Sequence, residues 1–515
     1  MTGADVVVRT LLACGVDTVF ANPGTSEMHM LAAIDRSTGM RPVLALFEGV
    51  VTGAADGYAR FAGRPAATML HLGPGLGNGL AGLHNARKAR SPIINVVGEH
   101  ALGHLKHDAP LASDIVGIAR PVSDWIGRID DPAKLAALTR DAVGAAKAGG
   151  IATLILPADM SWGQDAEVPD AGSITNAAPP APRASAIDES LAALRSEDAM
   201  LLLGGTALVD DGAYWAGAIA NAIGCRVATR SHAGRMTRGG DRPDLPRVPF
   251  EVDAELRFLS GVRTLVRVGA AVPVSFYGYP GRPGVLIEES SRVIDAAAGA
   301  DPLSTLRAMG QSLGVSPIRV APQPAASLPD GKLNAQTIAA TIAATMPEDA
   351  ILVDESITAG HLIYGATGRS ARHDWLNNMG GSIGWGMPVA IGAAVAQPER
   401  RVLAMVGDGS AFYTEQSLWT MAREGLNITV LIFANREYAV LRGEWNRVGA
   451  QRTADGGLPE KARDMLSLDR PSPDWVSIAR GHGVEAVRVE ETSTLAEALR
   501  HAYASTGPFL VEAWM

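Results

Sequence analysis

Apolar residues in the first part of the chain come in short runs, separated by longer stretches where they recur at helical spacing. Val16–Ala21 reads as a strand, Pro23-Gly24-Thr25-Ser26 as a turn, Pro42–Phe47 as the next strand, and about Gly49–Phe61 as a helix of small residues. Ala66–Leu70 is a strand ending at His71, and Pro92–Val97 and Ala152–Ile155 complete a set of parallel-strand candidates. This order predicts a doubly wound α/β unit. The pattern breaks over Asp165–Ile187, where Ala178-Pro179-Pro180-Ala181-Pro182-Arg183 reads as a linker. It resumes at Ala199-Met200-Leu201-Leu202-Leu203 and continues through Thr264–Val268 to about Gly314. Ala321-Pro322-Gln323-Pro324-Ala325-Ala326 marks a second boundary, and a third α/β pattern runs from Asn334 to the end. The expectation is an α/β chain of three doubly wound parallel-sheet domains, over residues 1–165, 188–320 and 334–515.

Composition narrows the function classes. With 47% hydrophobic and 19% charged residues, the chain is rich enough in apolar residues to exclude disorder as its main state. Lys+Arg is 45 against Asp+Glu 54, for a net charge of −9 without a dense basic run, so nucleic acid is not an expected partner. The longest apolar stretch, Ile383–Ala396, is too short and glycine-rich to span a bilayer, and no membrane association is expected. Cys14 and Cys225 cannot build a disulfide framework, and Met1–Asp5 lacks the basic start of a signal peptide; a cytoplasmic location is expected.

The most informative segment is Arg401–Asn435. Val402–Val406 reads as a buried strand ending in Gly407-Asp408-Gly409-Ser410, Thr414–Glu424 has helical spacing, and Ile428–Phe433 is a second strand closed by Ala434-Asn435. A right-handed crossover puts Asp408 and Asn435 on the same sheet edge, where α/β proteins bind ligands. A carboxylate and an amide are hard oxygen donors suited to Mg²⁺, which keeps phosphates and water in its shell. Gly407 and Gly409 admit a close backbone approach to phosphates, and a helix N-terminus at Ser410 offers N–H groups to anionic oxygens. A lone Gly-Asp-Gly is a common βα turn. Here the strand before it and the Asn at the end of the next strand make the pattern specific.

These residues resemble the thiamine-diphosphate motif of the acetolactate synthase, pyruvate decarboxylase and benzoylformate decarboxylase superfamily. The resemblance implies that thiamine diphosphate and Mg²⁺ are the cofactors. It implies that Asp408, Asn435 and the backbone carbonyl of Glu437 hold the metal, with Tyr438 and Ala439 following in the cofactor site. The family usually has Asn-Asn where this chain has Ala434-Asn435, and the second Asn is the ligand. A carboxyl group against the aminopyrimidine ring activates this cofactor, and Glu48, ending an apolar run, fits that role. Ala54-Ala55-Asp56-Gly57-Tyr58-Ala59-Arg60 matches the helix after the family's activating Glu. Without the metal motif, Glu48 would be read as a helix-start carboxylate stabilised by the dipole. Asn22-Pro23-Gly24-Thr25-Ser26-Glu27 looks like the benzoylformate decarboxylase turn, with Thr25 in place of its active-site Ser. His71-Leu72-Gly73-Pro74-Gly75-Leu76-Gly77-Asn78 looks like the glycine-rich loop, with the His of that enzyme. Val353-Asp354-Glu355-Ser356 places Glu355 and Ser356 in the cofactor site. Gly380-Gly381-Ser382-Ile383-Gly384-Trp385 gives Gly381 a carbonyl toward the aminopyrimidine and Ile383 a place between the two rings.

The implied reaction is decarboxylation of a 2-oxo acid with acyl transfer to an acceptor, as in acetolactate synthases. Alternatives are plain decarboxylation of the benzoylformate type and a catalytically silent homologue. A nicotinamide or flavin oxidoreductase shares the fold class but needs a dinucleotide fingerprint that is missing. Histidine titrates near neutrality, so His71 is the proton-transfer candidate. His100, His104 and His107 are read as loop residues near the entrance rather than as metal ligands. Leu111 stands where acetolactate synthases have an active-site Gln, which argues against ordinary acetolactate synthesis. Phe276-Tyr277-Gly278-Tyr279-Pro280-Gly281 lacks the second histidine of benzoylformate decarboxylase, which argues against simple decarboxylation. Trp445, Met465 and Leu466, in the polar stretch Gly443–Asp474, are pocket candidates. No phosphate loop follows Gly204-Gly205, so FAD is not expected. Glu48 and Asp408 fall in different domains that meet across a subunit interface in the family, which implies a homodimer or homotetramer.

Overall fold

The computed structural model describes residues 1–164, 180–321, 326–450, 452–453 and 456–515, so most of the first linker and Pro322–Ala325 lie outside the described residues. Among the described residues there are three sheets. The first is all parallel and holds β1 (Thr18–Ala21), β2 (Arg41–Leu44), β3 (Ala66–Leu70), β4 (Ile93–Glu99), β5 (Trp125–Arg128) and β6 (Ile151–Pro157) in the order β2-β1-β3-β4-β6-β5. β7 (Ala199–Leu203) and β8 (Arg226–Thr229) belong to the second sheet, and β9 (Met236–Arg238) does not. With β10 (Thr264–Val268) and β11 (Arg292–Asp295), the second sheet runs β11-β10-β7-β8. The third holds β12 (Ala350–Glu355), β13 (His373–Asn377), β14 (Val402–Gly407), β15 (Ile428–Ala434), β16 (Glu485–Val489) and β17 (Phe509–Trp514), in the order β16-β17-β15-β14-β12-β13-β9.

β9 is an antiparallel edge strand, lent to the third sheet by the middle segment through Trp375↔Met236 and His373↔Arg238. The pattern of apolar residues carries no sign of it. β5 also escapes the pattern, because its burial is only partial. β2 stops at Leu44 on the sheet edge, where Pro42 costs no ladder bond. Glu48 therefore does not end a strand; it opens the helix Glu48–Ala62. Among the described residues no helix is long and apolar enough to cross a membrane.

The parts of the chain that carry the first and third sheets join through the helices Glu48–Ala62 and Gly386–Ala396, both buried nearly throughout. Small residues let their backbones touch. A Cβ on Gly392 would lie 1.9 Å from the Ala54 carbonyl oxygen, and one on Gly57 would lie 2.1 Å from the Val389 oxygen. Gly392→Ala should therefore lower stability by at least roughly 1–3 kcal/mol, the usual cost of overpacking, because backbone rather than a rotamer must move. Denaturant unfolding of the two proteins checks this. At the end of the same helix, Arg60 pairs with the buried Asp56 at 2.7 Å and donates to the Gly234 and Asn377 carbonyls, each at 2.9 Å. Asp56 also accepts from Trp385 Nε1 at 2.9 Å. One buried ion pair thus ties together all three parts of the chain.

Candidate active site

The carboxyl ends of the parallel strands gather the polar residues of interest. On the first sheet these are Thr25–Glu27 after β1, Glu48 after β2 and His71 after β3; on the third they are Asp354–Ser356 at β12, Asp408 after β14 and Asn435 after β15. This is the edge at which open α/β sheets bind ligands.

Asp408 opens the short helix Asp408–Ala411 and is 2% exposed. Its carboxylate accepts from the N–H of Gly409 at 2.8 Å and of Arg436 at 2.6 Å. Burial still dominates and pushes its pKa up to about 6. Asn435 Oδ1 accepts from the Glu437 N–H at 3.0 Å. Between them Arg436 has φ +58, a left-handed conformation that a long side chain adopts only where surroundings enforce it. The surroundings are visible. Its guanidinium donates to the Ala434 carbonyl at 3.2 Å and the Met515 carbonyl at 2.8 Å, and stacks 4.1 Å over Trp514. Its own carbonyl accepts from Leu468 N–H at 2.7 Å, while Tyr438 N–H donates to Leu466 O at 2.9 Å. Gly409 faces the Tyr438 ring so closely that a Cβ would lie 2.5 Å from Cε1.

This donor set fits Mg²⁺. It offers a buried carboxylate that has no ion-pair partner among the described residues, an amide oxygen and a loop carbonyl, all hard oxygens. The Glu437 carboxylate is engaged by Arg442 at 2.8 Å, so its backbone oxygen is the part left for a metal. Among the described residues no three or more His, Cys, Asp or Glu side chains are arranged to hold a metal, the His100–His104–His107 row included. Those rings sit 5.4 Å apart in succession; His100 precedes the short helix Leu102–His107, whereas His104 and His107 lie within it and so are not loop residues.

Glu48 is 6% exposed. Asn78 Nδ2 donates to Glu48 Oε2 at 2.9 Å, and a Cβ on Gly75 would lie 2.9 Å from Oε1. Thr52 Oγ1 bridges the Glu48 carbonyl at 3.1 Å and the Gly79 carbonyl at 3.0 Å, locking this helix onto Leu72–Ala89. Asn78 is a site residue that the sequence pattern does not single out, because nothing in the glycine-rich stretch shows where its side chain points.

His71 Nδ1 lies 2.8 Å from Glu27 Oε2 and 3.3 Å from Ser26 Oγ. Thr25, expected as the catalytic hydroxyl, is exposed, and it is the next residue, Ser26, that reaches the imidazole. The 3₁₀ turn Thr25–Glu27 rotates the two hydroxyls to different sides. Leu72, the residue after His71, is buried at φ +50, a further strained position at this edge.

Glu355 is buried with both carboxylate oxygens engaged. Trp385 N–H donates at 3.0 Å and Gly386 N–H at 2.7 Å, so it caps the helix Gly386–Ala396, and burial pushes its pKa up to about 7. Ser356 donates to Asp354 at 2.7 Å. Gly381 has φ +81 and lies against Phe276 of the middle domain, where a Cβ would meet Cζ at 2.9 Å. Ile383 is half-buried. The Gly380–Ser382 stretch is pinned to the helix after His71: Asn85 Nδ2 donates to Ser382 O at 2.8 Å, and His84 Nε2 lies 3.0 Å from Gly380 O. Tyr438 precedes the helix Ala439–Arg447, so the polar stretch after it begins in regular structure; Met465 is 80% exposed.

Comparison with known proteins finds matches over both ends of the chain. The N-terminal TPP binding domain of thiamine pyrophosphate enzymes matches residues 1–118, and their C-terminal TPP binding domain matches residues 360–513. A Mycobacterium tuberculosis protein named "Putative acetolactate synthase large subunit IlvX" is 46% identical over 99% of this chain and 98% of its own. Benzoylformate decarboxylase of Pseudomonas aeruginosa is 30% identical over 97% of this chain and 96% of its own. Among solved structures, the thiamine diphosphate-dependent 4-hydroxybenzoylformate decarboxylase of Rhodococcus jostii superposes with a TM-score of 0.84 at 25% identity, over 100% of this chain and 99% of that one.

Proposed function

Because the chain belongs to the thiamine pyrophosphate enzyme family, with relatives among acetolactate synthases and benzoylformate decarboxylases, we propose that it decarboxylates a small aliphatic or aromatic 2-oxo acid and passes the acyl unit to an acceptor carbonyl. Bound thiamine diphosphate supplies the nucleophilic carbon and the electron sink for loss of CO₂. Asp408, Asn435 and the Glu437 carbonyl would hold its diphosphate through Mg²⁺. Glu48 would hold and move a proton at the aminopyrimidine, from a pocket that Asn78 and Gly75 close around it. His71 would move protons on the substrate side. Among the described residues, Glu48, Asn78 and His71 share no hydrogen bond or ion pair with Asp408, Asn435 or Glu437 within one chain. Exposed apolar side chains flank both: Leu46 beside Glu48, and Phe412, Tyr413 and Leu441 beside Asp408 and Asn435. We read these as faces that a second copy covers, giving a homodimer or homotetramer. FAD is not part of this reading. The switch point between β7 and β10 is closed, since a Cβ on Gly204 would lie 2.7 Å from the Gly269 oxygen and one on Gly269 would lie 2.7 Å from Pro302.

The observation that favours acyl transfer over simple release is the face beside Gly381. Phe250, Phe276 and Tyr277 form an edge-on ladder with ring centroids 5.0 and 4.7 Å apart. The histidine that reaches this ladder, His232, is pushed down to about 4 by burial and by Arg247 and Arg230, so it is neutral near pH 7. An apolar aromatic wall gives a second, carbonyl-bearing molecule a surface to stack on, which favours capture of the acyl unit there. Benzoylformate-type release is the second reading, favoured by the His71–Glu27 pair. The test is product identification by mass after incubation with thiamine diphosphate, Mg²⁺ and pyruvate, 2-oxobutyrate or benzoylformate. An acyloin as main product is expected. Free aldehyde alone would favour the second reading, and no CO₂ from any acid with the cofactor bound would overturn both.

A further inference from the structure

Glu27 is 2% exposed, and among the described residues no basic side chain other than His71 contacts it. Its carboxylate is held from three sides: Gly24 N–H donates to Oε2 at 2.9 Å, Ser26 Oγ donates to Oε1 at 2.9 Å, and His71 Nδ1 lies 2.8 Å from Oε2. Two glycines make the room. A Cβ on Gly98 would lie 1.8 Å from Glu27 Oε1, and a Cβ on Gly24 would lie 2.1 Å from His71 Nδ1. The cradle therefore leaves neither the carboxylate nor the ring another place to stand. A carboxylate only accepts, so Nδ1 carries the hydrogen. Among the described residues Nε2 has no hydrogen bond, and the ring is 22% exposed.

We propose that Glu27 is a positioning residue, which holds His71 in the Nδ1–H tautomer and offsets the ring's charge when Nε2 takes a proton. This rests on the thiamine-diphosphate reading above. The proton that Nε2 accepts from the substrate side returns there, and the Nδ1 hydrogen stays between His71 and Glu27 throughout. The ring thus cycles between neutral and cationic beside a fixed, buried negative charge. The arrangement parallels other histidines whose tautomer a buried carboxylate sets.

The experiment uses the full chain labelled with ¹⁵N-histidine, with His71→Gln to assign the resonance, and Glu27→Gln and Glu27→Ala as variants. Wild-type His71 should show protonated Nδ1 and bare Nε2 at alkaline pH, and Glu27→Ala should show a mixture of tautomers. With cofactor and substrate, both variants should lose roughly 10- to 100-fold in kcat with KM nearly unchanged, as outer partners of a functional histidine do. Exchange of the cofactor C2 proton, which needs Glu48 and not His71, should keep its wild-type rate in both. Protonated Nε2 in the wild type, or full kcat in a folded Glu27→Ala holoenzyme, would overturn the proposal. Absent C2 exchange in the wild type would instead sink the thiamine reading, and the ¹⁵N spectrum, which needs no cofactor, would still decide the pairing.

Discussion

Glu48→Gln should bind thiamine diphosphate about as well as the wild type and lose turnover by about 10²- to 10⁴-fold, the contribution a positioned proton-transfer group makes. The substitution is close to isosteric. The new amide keeps an oxygen for Asn78 Nδ2, which lies 2.9 Å from Glu48 Oε2 in the wild type, and keeps the volume that Gly75 leaves open. What it removes is a group able to exchange a proton in a pocket where the side chain is 6% exposed. Since affinity is expected to rest on the metal loop of the other half-site, binding and turnover should separate. Calorimetric titration of cofactor and steady-state rates check the two halves. A variant with wild-type rates would remove Glu48 from the chemistry.

Asp408→Ala should do the reverse and abolish Mg²⁺-dependent cofactor binding, with an affinity loss above the 10- to 100-fold typical of an outer-shell partner. The pH dependence has a definite sign. Burial raises the Asp408 pKa from 3.8 to about 6 in the metal-free protein. Its stabilising contribution to that protein is thus fully present below 3.8 and is lost as pH rises through about 6, because ionisation costs more in the fold than in the unfolded chain. Mg²⁺ needs the ionised form, so binding competes with the proton. In the wild type, the thermal stabilisation given by Mg²⁺ and cofactor should grow between about pH 5 and 7 and level off above. In Asp408→Ala it should be absent throughout. An unchanged, pH-independent stabilisation in the variant would take Asp408 out of the metal site.

Much of this edge could be read from the chain because its signals are local. Asp408 and Asn435 each follow an apolar run long enough to be a buried strand, and both strands form within a residue of their expected ends. The three-sheet α/β organisation follows from the same alternation. What escaped depends on distant or one-sided packing. Glu27 and His71 stand 44 positions apart, and nothing in either neighbourhood announces their contact. Ser26 rather than Thr25 meets the imidazole because a 3₁₀ turn decides which hydroxyl faces inward. Glu355 reads as a cofactor contact in a motif, yet its carboxylate caps a helix whose N-terminus packs against it from 30 residues on. β9 is three residues long and pairs across a domain boundary, beyond the reach of any periodicity.

The most direct measurement is the exchange of the C2 proton of bound thiamine diphosphate with deuterium, followed by rapid quench and NMR on wild type and Glu48→Gln. It needs no knowledge of the substrate. Fast exchange in the wild type, falling toward the free-cofactor rate in Glu48→Gln, is the predicted result. Exchange at the free-cofactor rate in the wild-type holoenzyme would contradict the account.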